Sequence, residues 1–228
     1  INNMSFPNNI KSKKPNRNDY KKWDYLMFNS RNILKDVWPN IEEIIALYIN
    51  IIVPLKSPDP NIDISCTAKK FPHLIFASDC EPIQMSEVII HEFSHNILND
   101  ILFNYKIFDD KSPKESIFYS PWRPDPRPLT GVFHALYVFG NIAEYYARLF
   151  DSGINKKIYS EKFTLIVSRI DKALEVFQKD ALLTTIGREI INRIITQQIK
   201  NKNNKEFSPK IAEEKIINHR KIYNKLYK

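Results

Sequence analysis

Apolar residues recur at intervals of three and four along most of this chain of 228 residues, and that spacing constrains the fold to a mostly helical one. The pattern predicts helices over 18–38, 86–104, 130–150, 161–179, 181–200 and 209–228. Prolines at 121, 124, 126 and 128 predict that the stretch between the second and third of these helices is extended, because proline removes a backbone donor and disfavours helix before it. Ser86 and Thr130 are the expected N-caps of the two flanking helices.

Short β-branched segments on the N-terminal side predict a small sheet. Ile62–Cys66 and Leu74–Ser78 have the composition of strands, whereas Ile44–Val53 fits either a helix or a buried strand. Residues 1–17, rich in Asn and Lys, are expected to be irregular. The sequence therefore predicts one α+β domain over 1–228, mostly helical, with a small sheet and a helical core.

Composition excludes several classes of function. No G-x-G-x-x-G or G-x-x-x-x-G-K motif is present, which argues against a Rossmann or P-loop nucleotide enzyme. No run of 18 apolar residues and no signal peptide is found, so no membrane association is expected. The net charge is +8, but no basic stretch of the sequence has aromatic residues interleaved with its Lys and Arg residues. We therefore expect a solvated basic surface and no nucleic-acid partner. Cys66 and Cys80 form neither a disulfide framework nor a C-x-x-C pair, which predicts a reducing, cytoplasmic setting.

The most specific motif is His91-Glu92-Phe93-Ser94-His95, within the predicted helix 86–104. Two histidines four residues apart lie on one helix face, one turn apart, and can bind one divalent metal. Glu92 lies about 100° around the helix from His91, where its carboxylate can contact a metal-bound molecule without being a ligand. The motif predicts a metal centre in which Glu92 is a catalytic acid or base.

Two residues compete for the place of third metal ligand. The metzincin continuation is absent, since Leu98 stands where its glycine belongs. His134 and Glu144 both fall on the predicted helix 130–150, ten residues and therefore about 15 Å apart along its axis, so one metal cannot reach both. His73, in a strand-edge turn, and His219, on a charged terminal helix, are in less favourable places.

The choice of third ligand decides the chemistry. With Glu144, in the string Asn141–Tyr146, the protein would be a gluzincin-like zinc metallopeptidase with Glu92 as general base. With His134, the site would be three histidines, which accept zinc or Fe(II).

The stretch Ser120–Leu129 favours the three-histidine alternative. It reads SPWRPDPRPL and holds Arg123 and Arg127 on a stiff backbone just before the helix that carries His134. A guanidinium group matches a carboxylate bidentately, and the prolines reduce the entropy cost of holding it in place. A peptidase has no evident need for such a cation, whereas an oxygenase that binds 2-oxoglutarate needs one for the distal carboxylate.

Over about residues 74–149, these motifs together resemble the HExxH-motif peptide-modification proteins of ribosomal peptide (RiPP) biosynthesis. The resemblance implies an Fe(II)- and 2-oxoglutarate-dependent dioxygenase that uses O2 to hydroxylate a β-carbon in a precursor peptide, on a zincin-like HExxH helix and not on a double-stranded β-helix. It also implies His91, His95 and His134 as metal ligands, and Arg127 and, less directly, Arg123 as 2-oxoglutarate-binding residues.

The same resemblance implies two protein partners, the precursor peptide and a radical S-adenosylmethionine maturase, because members of the family occur alone or fused to such maturases. Since the chain begins with Ile1 and not with Met, we also expect a domain excised from a longer protein.

Overall fold

A computed structural model describes residues 11–12, 17–57, 59, 61–68, 70–113, 116–154, 157–179 and 182–227. Within these ranges the protein is mostly helical (68%), with seven helices, a small mixed sheet and a two-strand hairpin, which confirms the predicted α+β fold class. The chain divides into two compact units, residues 1–96 and 97–228, described in turn below. That the whole chain acts as a single domain stays a prediction. No helix in the described ranges combines the length and the apolar character needed to span a bilayer.

The first unit contains a mixed sheet whose strands lie in the order β1-β2-β4-β3. Their bounds are Lys11–Ser12 for β1, Ile51–Lys56 for β2, Ser65–Ala68 for β3 and Phe71–Ser78 for β4. Strand β2 runs parallel to β4, whereas β1 and β3 pair antiparallel with β2 and β4. The last four residues of β4 are all buried, as expected for an inner strand. Strand β1 lies within the segment predicted to be irregular, whose residues 1–10 and 13–16 lie outside the described ranges.

Three helices belong wholly or partly to the first unit: α1, Arg17–Val37; α2, Pro39–Tyr48; and α3, Pro82–Asn104, which continues beyond residue 96. The ambiguous segment 44–53 is divided between both alternatives, since α2 ends at Tyr48 and β2 begins at Ile51. Helix α3 begins at Pro82, so the prediction that Ser86 is its N-cap was wrong. Proline suits a first helical turn because it lacks the N–H that would go unpaired there. The Ser86 hydroxyl instead donates to the carbonyls of Pro82 and Ser30, each at 2.9 Å.

The second unit contains the hairpin and the remaining helices. Its elements are β5, Ile117–Phe118; β6, Arg127–Pro128; α4, Leu129–Asp151; α5, Lys157–Lys179; α6, Thr185–Lys202; and α7, Pro209–Tyr227. Helix α4 is the most buried of these, with eleven buried residues along its length. It begins at Leu129 with Pro128 at the N-cap position, so the prediction of a Thr130 cap was also wrong. The extended backbone of Pro128 and the burial of Leu129 place the N-cap two residues before the predicted one.

Two helical glycines of the second unit give a matched stability prediction. A Cβ atom at Gly187 would lie 2.3 Å from the Ile107 carbonyl oxygen, whereas a Cβ atom at Gly140 would meet only Ile194 side-chain atoms at 3.7 and 3.9 Å. Gly187→Ala should therefore lower the free energy of unfolding by about 1–3 kcal/mol through overpacking. Gly140→Ala should raise it by up to about 1 kcal/mol, because alanine favours helix. Denaturant unfolding of both variants measures this, and equal stabilities would contradict the close approach at Gly187.

Candidate functional site

Helix α3 places His91 and His95 side by side, as the HExxH spacing predicts. Their ring centroids lie 4.9 Å apart in an edge-to-face arrangement, and both side chains are half-buried. Desolvation lowers the pKa of His91, opposed in part by Glu87 one turn earlier. The imidazole is therefore neutral at physiological pH, which is the form that binds a metal.

Glu92 is the buried carboxylate of the motif, with 3% of its surface exposed. The Ser65 hydroxyl on β3 donates to its Oε1 atom at 2.6 Å. Burial raises the pKa of Glu92 to about 7, although the hydrogen bond from Ser65 opposes the rise. A pKa near the operating pH is what a general acid or base needs, so the environment of Glu92 fits the predicted role.

The side chain of Asn96 fixes this part of α3 to strand β4. Its Nδ2 atom donates to the Leu74 carbonyl at 3.4 Å and to the Glu92 carbonyl at 3.0 Å, and its Oδ1 atom accepts the backbone N–H of His73 at 3.2 Å. His73 adopts a φ of 66°, and its Nδ1 atom donates to the Tyr48 carbonyl at 3.0 Å. His73 and Asn96 thus hold the turn of α3 that ends the metal motif.

The two cysteines are free thiols in the first unit. Burial and the nearby Glu92 carboxylate raise the pKa of Cys66 to about 11. Burial and four acidic neighbours, Asp63 first among them, raise the pKa of Cys80 to about 12. Both thiols are protonated at neutral pH and are poor nucleophiles and poor metal ligands.

In the second unit, residues 119–127 form a loop that we call the arginine loop, and its last residue, Arg127, also begins strand β6 of the hairpin that closes its base. Strand residues Ile117 and Phe118 pair with Pro128 and Arg127, respectively. Within the loop, Trp122 stacks on Phe139 of α4, with ring centroids 5.0 Å apart and planes within 5°. The hairpin and the stacked rings define the direction in which the chain enters α4.

The two arginines share one carboxylate. Asp125 lies 3.2 Å from the Nε atom of Arg123 through Oδ1 and 3.0 Å from the Nε atom of Arg127 through Oδ2. Only the first contact has hydrogen-bond geometry, since the buried Nε atom of Arg127 makes no hydrogen bond with a described residue. The hydrogen bond from Arg123 and the charges of both arginines lower the pKa of Asp125.

The terminal amino groups of these two guanidiniums make no hydrogen bond or ion pair with the described residues. Arg127 is the more enclosed, with 33% of its side chain exposed against 58% for Arg123. The stem of Arg127 also packs against α4, because its Cβ and Cδ atoms lie 3.5 and 3.8 Å from where a Cβ atom would stand on Gly131. Two positive charges against one negative charge make this loop suited to a carboxylate ligand.

Helix α4 carries both candidates for the third metal ligand, as predicted. His134 is half-buried. The Oε1 atom of Glu144 accepts a hydrogen bond of 2.7 Å from Nε of Arg148, one turn later on the helix, and the Oε2 atom is buried without a hydrogen-bond partner among the described residues. One oxygen of Glu144 is thus committed to an ion pair and the other is available to a cation.

The structure groups two of the predicted metal ligands, His91 and His95. Across the described residues, no group of three or more His, Cys, Asp or Glu side chains is arranged as a metal site. The neutral imidazole of His91, its position beside His95 and the buried Glu92 fit a divalent metal. The third ligand stays a prediction.

Two contacts at the site were missed from the sequence, those of Ser65 with Glu92 and of His219 with the arginine loop. The Nδ1 atom of His219, on the charged C-terminal helix, lies 2.9 Å from the Tyr119 hydroxyl. The partners are 27 and 100 residues apart, and no local pattern links residues so distant.

No protein-family model matches the chain, and no curated protein matches it.

Burial of Glu92 predicts a pH-dependent stability of the metal-free protein. Because the pKa of the carboxyl is 4.5 in the unfolded chain and about 7 in the fold, the folded state holds more protons between these values. Stability should therefore fall by about 3 kcal/mol as the pH rises from 4.5 to 7. Glu92→Gln should remove this loss and be the more stable protein at pH 8. Denaturant unfolding in EDTA at several pH values measures it, with the exposed Glu43→Gln as control, and parallel curves for Glu92→Gln and wild type would contradict the burial.

Proposed function

We propose that this protein is an Fe(II)- and 2-oxoglutarate-dependent dioxygenase that hydroxylates a β-carbon of a residue in a ribosomally synthesised precursor peptide. The observation that carries the proposal is the arginine loop, where two guanidiniums share the carboxylate of Asp125 and their terminal amino groups have no polar partner among the described residues. This arrangement supports recognition of a dicarboxylate co-substrate, which a hydrolytic zinc enzyme does not need.

The proposed metal ligands are His91, His95 and His134. The first two are supported by their placement on α3, and the third rests on the sequence motif. Iron bound there would supply O2 activation, and in the net reaction one oxygen atom enters the peptide C–H bond while the other enters succinate, with release of CO2 from 2-oxoglutarate. Burial disfavours protonation of the His91 imidazole and so favours the neutral form that binds a metal.

The remaining residues of the proposed site would bind the co-substrate or hold a proton. Arg127 would hold the distal carboxylate of 2-oxoglutarate, because it is the more enclosed arginine and its stem is packed against Gly131. Glu92, with a pKa near 7, would hold or release a proton at its Oε2 atom, since Oε1 accepts from Ser65. Cys66 and Cys80 are free thiols and form no disulfide, which supports a reducing, cytoplasmic setting in which Fe(II) persists. A precursor peptide and a radical S-adenosylmethionine maturase are the partners that belong with this function.

One observation favours a second candidate, the zinc metallopeptidase. The buried Oε2 atom of Glu144 has no hydrogen-bond partner among the described residues, as a metal-ligating oxygen would be without its ion. In this alternative Glu144 is the third ligand and Glu92 activates water. Because Oε1 is already paired with Arg148, Oε2 is the oxygen of Glu144 that would bind the metal in this alternative.

The test of the proposed function is metal analysis of anaerobically purified protein, followed by calorimetric titration of the Fe(II)-loaded protein with 2-oxoglutarate and a succinate assay with peptide. We expect about one iron per chain, micromolar binding of 2-oxoglutarate and succinate formation. Tightly held zinc, no binding of 2-oxoglutarate and cleavage of a peptide would identify the peptidase. Bound metal and bound peptide without turnover would identify a catalytically idle binding module.

A further inference from the structure

We propose that His219 is a positioning residue that ties the C-terminal helix α7 to the arginine loop and holds that loop in the conformation that binds 2-oxoglutarate. The identity of the ligand rests on the proposed function, whereas the attachment of the loop does not. Two contacts within the second unit carry the inference.

The first contact is with the residue that begins the loop. The Nδ1 atom of His219 lies 2.9 Å from the hydroxyl oxygen of Tyr119, and the two rings meet edge to face with centroids 5.6 Å apart. Tyr119 is buried and also packs edge to face against Tyr223, one turn further along α7, at 5.0 Å. The start of the arginine loop is therefore anchored on the face of α7 that carries His219 and Tyr223.

The second contact is with the middle of the loop. The backbone of Arg123 lies close enough to the imidazole of His219 to raise its pKa through hydrogen bonding. Because this bond favours the protonated ring, the imidazole is the donor and the Arg123 carbonyl is the acceptor. A neutral imidazole that donates from one nitrogen accepts at the other, so the Tyr119 hydroxyl donates to Nδ1. One side chain thus joins two points of the loop, four residues apart, to the same helix.

Burial holds residues 119–121 at the start of the loop, whereas residues 122–127 are half-buried or exposed. Its base is a hairpin with two residues in each strand, and strand pairs this short are weak by themselves. The stack of Trp122 on Phe139 holds one side chain of the loop. The bonds from His219 are the described polar contacts that hold the loop to α7, immediately before the segment Arg123–Arg127 that bears both guanidiniums. Removal of the imidazole should therefore let the arginines sample several positions.

The surroundings of His219 keep its ring neutral. Burial and the nearby Arg169 of α5 lower its pKa, while the bond to the Arg123 carbonyl raises it in part. On α7 the guanidinium of Arg220 lies over the Tyr119 ring, with its Cζ atom 4.1 Å from the centroid. The other titratable groups that face this position are the hydroxyls of Tyr119 and Tyr223. Protonation of Nδ1 would end its acceptance of the Tyr119 hydroxyl and add a third positive charge to the cluster.

The experiment compares His219→Ala, His219→Gln and the exposed neighbour Asn218→Ala in the full chain. Each is labelled with 5-fluorotryptophan, so that ¹⁹F NMR reports Trp122 in the loop, with Trp23 and Trp38 as internal references. Each is also titrated with 2-oxoglutarate after anaerobic loading with Fe(II), and the KM and kcat for 2-oxoglutarate are measured separately. Tyr119→Phe, which removes only the hydroxyl, serves if the alanine variant fails to fold.

We expect His219→Ala to shift or broaden the Trp122 resonance alone, to weaken 2-oxoglutarate binding by about tenfold, and to leave iron content and kcat at saturation unchanged. Glutamine can both donate and accept, so His219→Gln should restore most of the affinity. In wild type the KM should rise as the pH falls through the pKa of His219, and this rise should be absent in His219→Gln.

A Trp122 resonance in His219→Ala identical to that in Asn218→Ala would overturn the inference, as would an unchanged affinity for 2-oxoglutarate in a protein that binds it. If wild type binds no 2-oxoglutarate, the proposed function fails, and the Trp122 resonance alone then decides whether His219 positions the loop.

Discussion

His134→Ala is expected to remove metal from the protein, whereas Glu144→Gln is expected to leave the metal content near that of wild type. Loss of one of three ligands leaves only the pair His91 and His95 on α3. Removal of groups that merely support a ligand already costs about 10–100-fold in metal affinity, so loss of a ligand itself should cost more than about 100-fold. In Glu144→Gln the hydrogen bond from Arg148 is kept, because the amide oxygen of glutamine can still accept it.

The measurement is metal content per chain after anaerobic loading with Fe(II) and desalting, together with the dissociation constant from a competing chelator. His95→Ala serves as the positive control and should lose metal in the same way as His134→Ala. His219→Gln serves as the negative control and should keep its metal, because the wild-type imidazole contacts Tyr119 and the Arg123 backbone and is not a proposed metal ligand. Loss of metal in Glu144→Gln together with retention of metal in His134→Ala would identify Glu144 as the third ligand. That result would favour the zinc peptidase over the dioxygenase.

Arg127→Ala is expected to raise the apparent KM for 2-oxoglutarate by about ten- to a hundredfold or more, with little change in iron content. A charged, bidentate hydrogen-bonded pair in a partly desolvated site contributes roughly 1.5–3 kcal/mol, and each 1.4 kcal/mol is a factor of about ten. Arg127→Lys should recover only part of the loss, because a point charge cannot reproduce the planar fork. Succinate formation over a range of 2-oxoglutarate concentrations measures both variants.

Arg123→Ala is the matched control for this prediction. Its side chain is 58% exposed, and its Nε atom already donates to Asp125, so its removal should have a smaller effect on KM. If Arg123→Ala abolished saturation by 2-oxoglutarate and Arg127→Ala did not, the two roles would be exchanged. If neither variant changed the KM, the dioxygenase proposal would lose the observation on which it rests.

The sequence predicts most strongly where a short segment contains its own physical cause. The placement of His91 beside His95 needs only the 3.6-residue period of α3, and both are adjacent in the structure. The prolines that flank Arg123 and Arg127 predict an extended stretch, but only β6 is a strand there, because the chain turns at residues 121–122 and reverses to pair β6 with β5. Helix starts were less well predicted, since Pro82 and Leu129 begin their helices before the expected caps at Ser86 and Thr130.

The secondary structure of Ile44–Val53 could not be predicted from the local sequence pattern. Its β-branched residues suit both helix and strand, and the structure ends α2 at Tyr48 and begins β2 at Ile51. What decides the division is the parallel pairing of β2 with β4, with Ile51 opposite Leu74. That pairing joins residues more than twenty positions apart, so no window of the sequence contains it.

By itself the sequence determines the helical fold class, the pair of histidines on one helix face and the two arginines beside prolines, because each depends on the spacing of neighbouring residues. Only the tertiary structure decides the environments that make these residues useful. Glu92 has a raised pKa because the fold buries its carboxyl group, and the hydrogen bond that Ser65 of β3 donates to its Oε1 atom opposes that rise only in part. The arginine loop is attached to α7 because the fold places His219 of that helix within hydrogen-bond distance of Tyr119, which lies 100 residues earlier in the chain. Burial and long-range hydrogen bonds arise from packing between elements, which residue spacing does not encode.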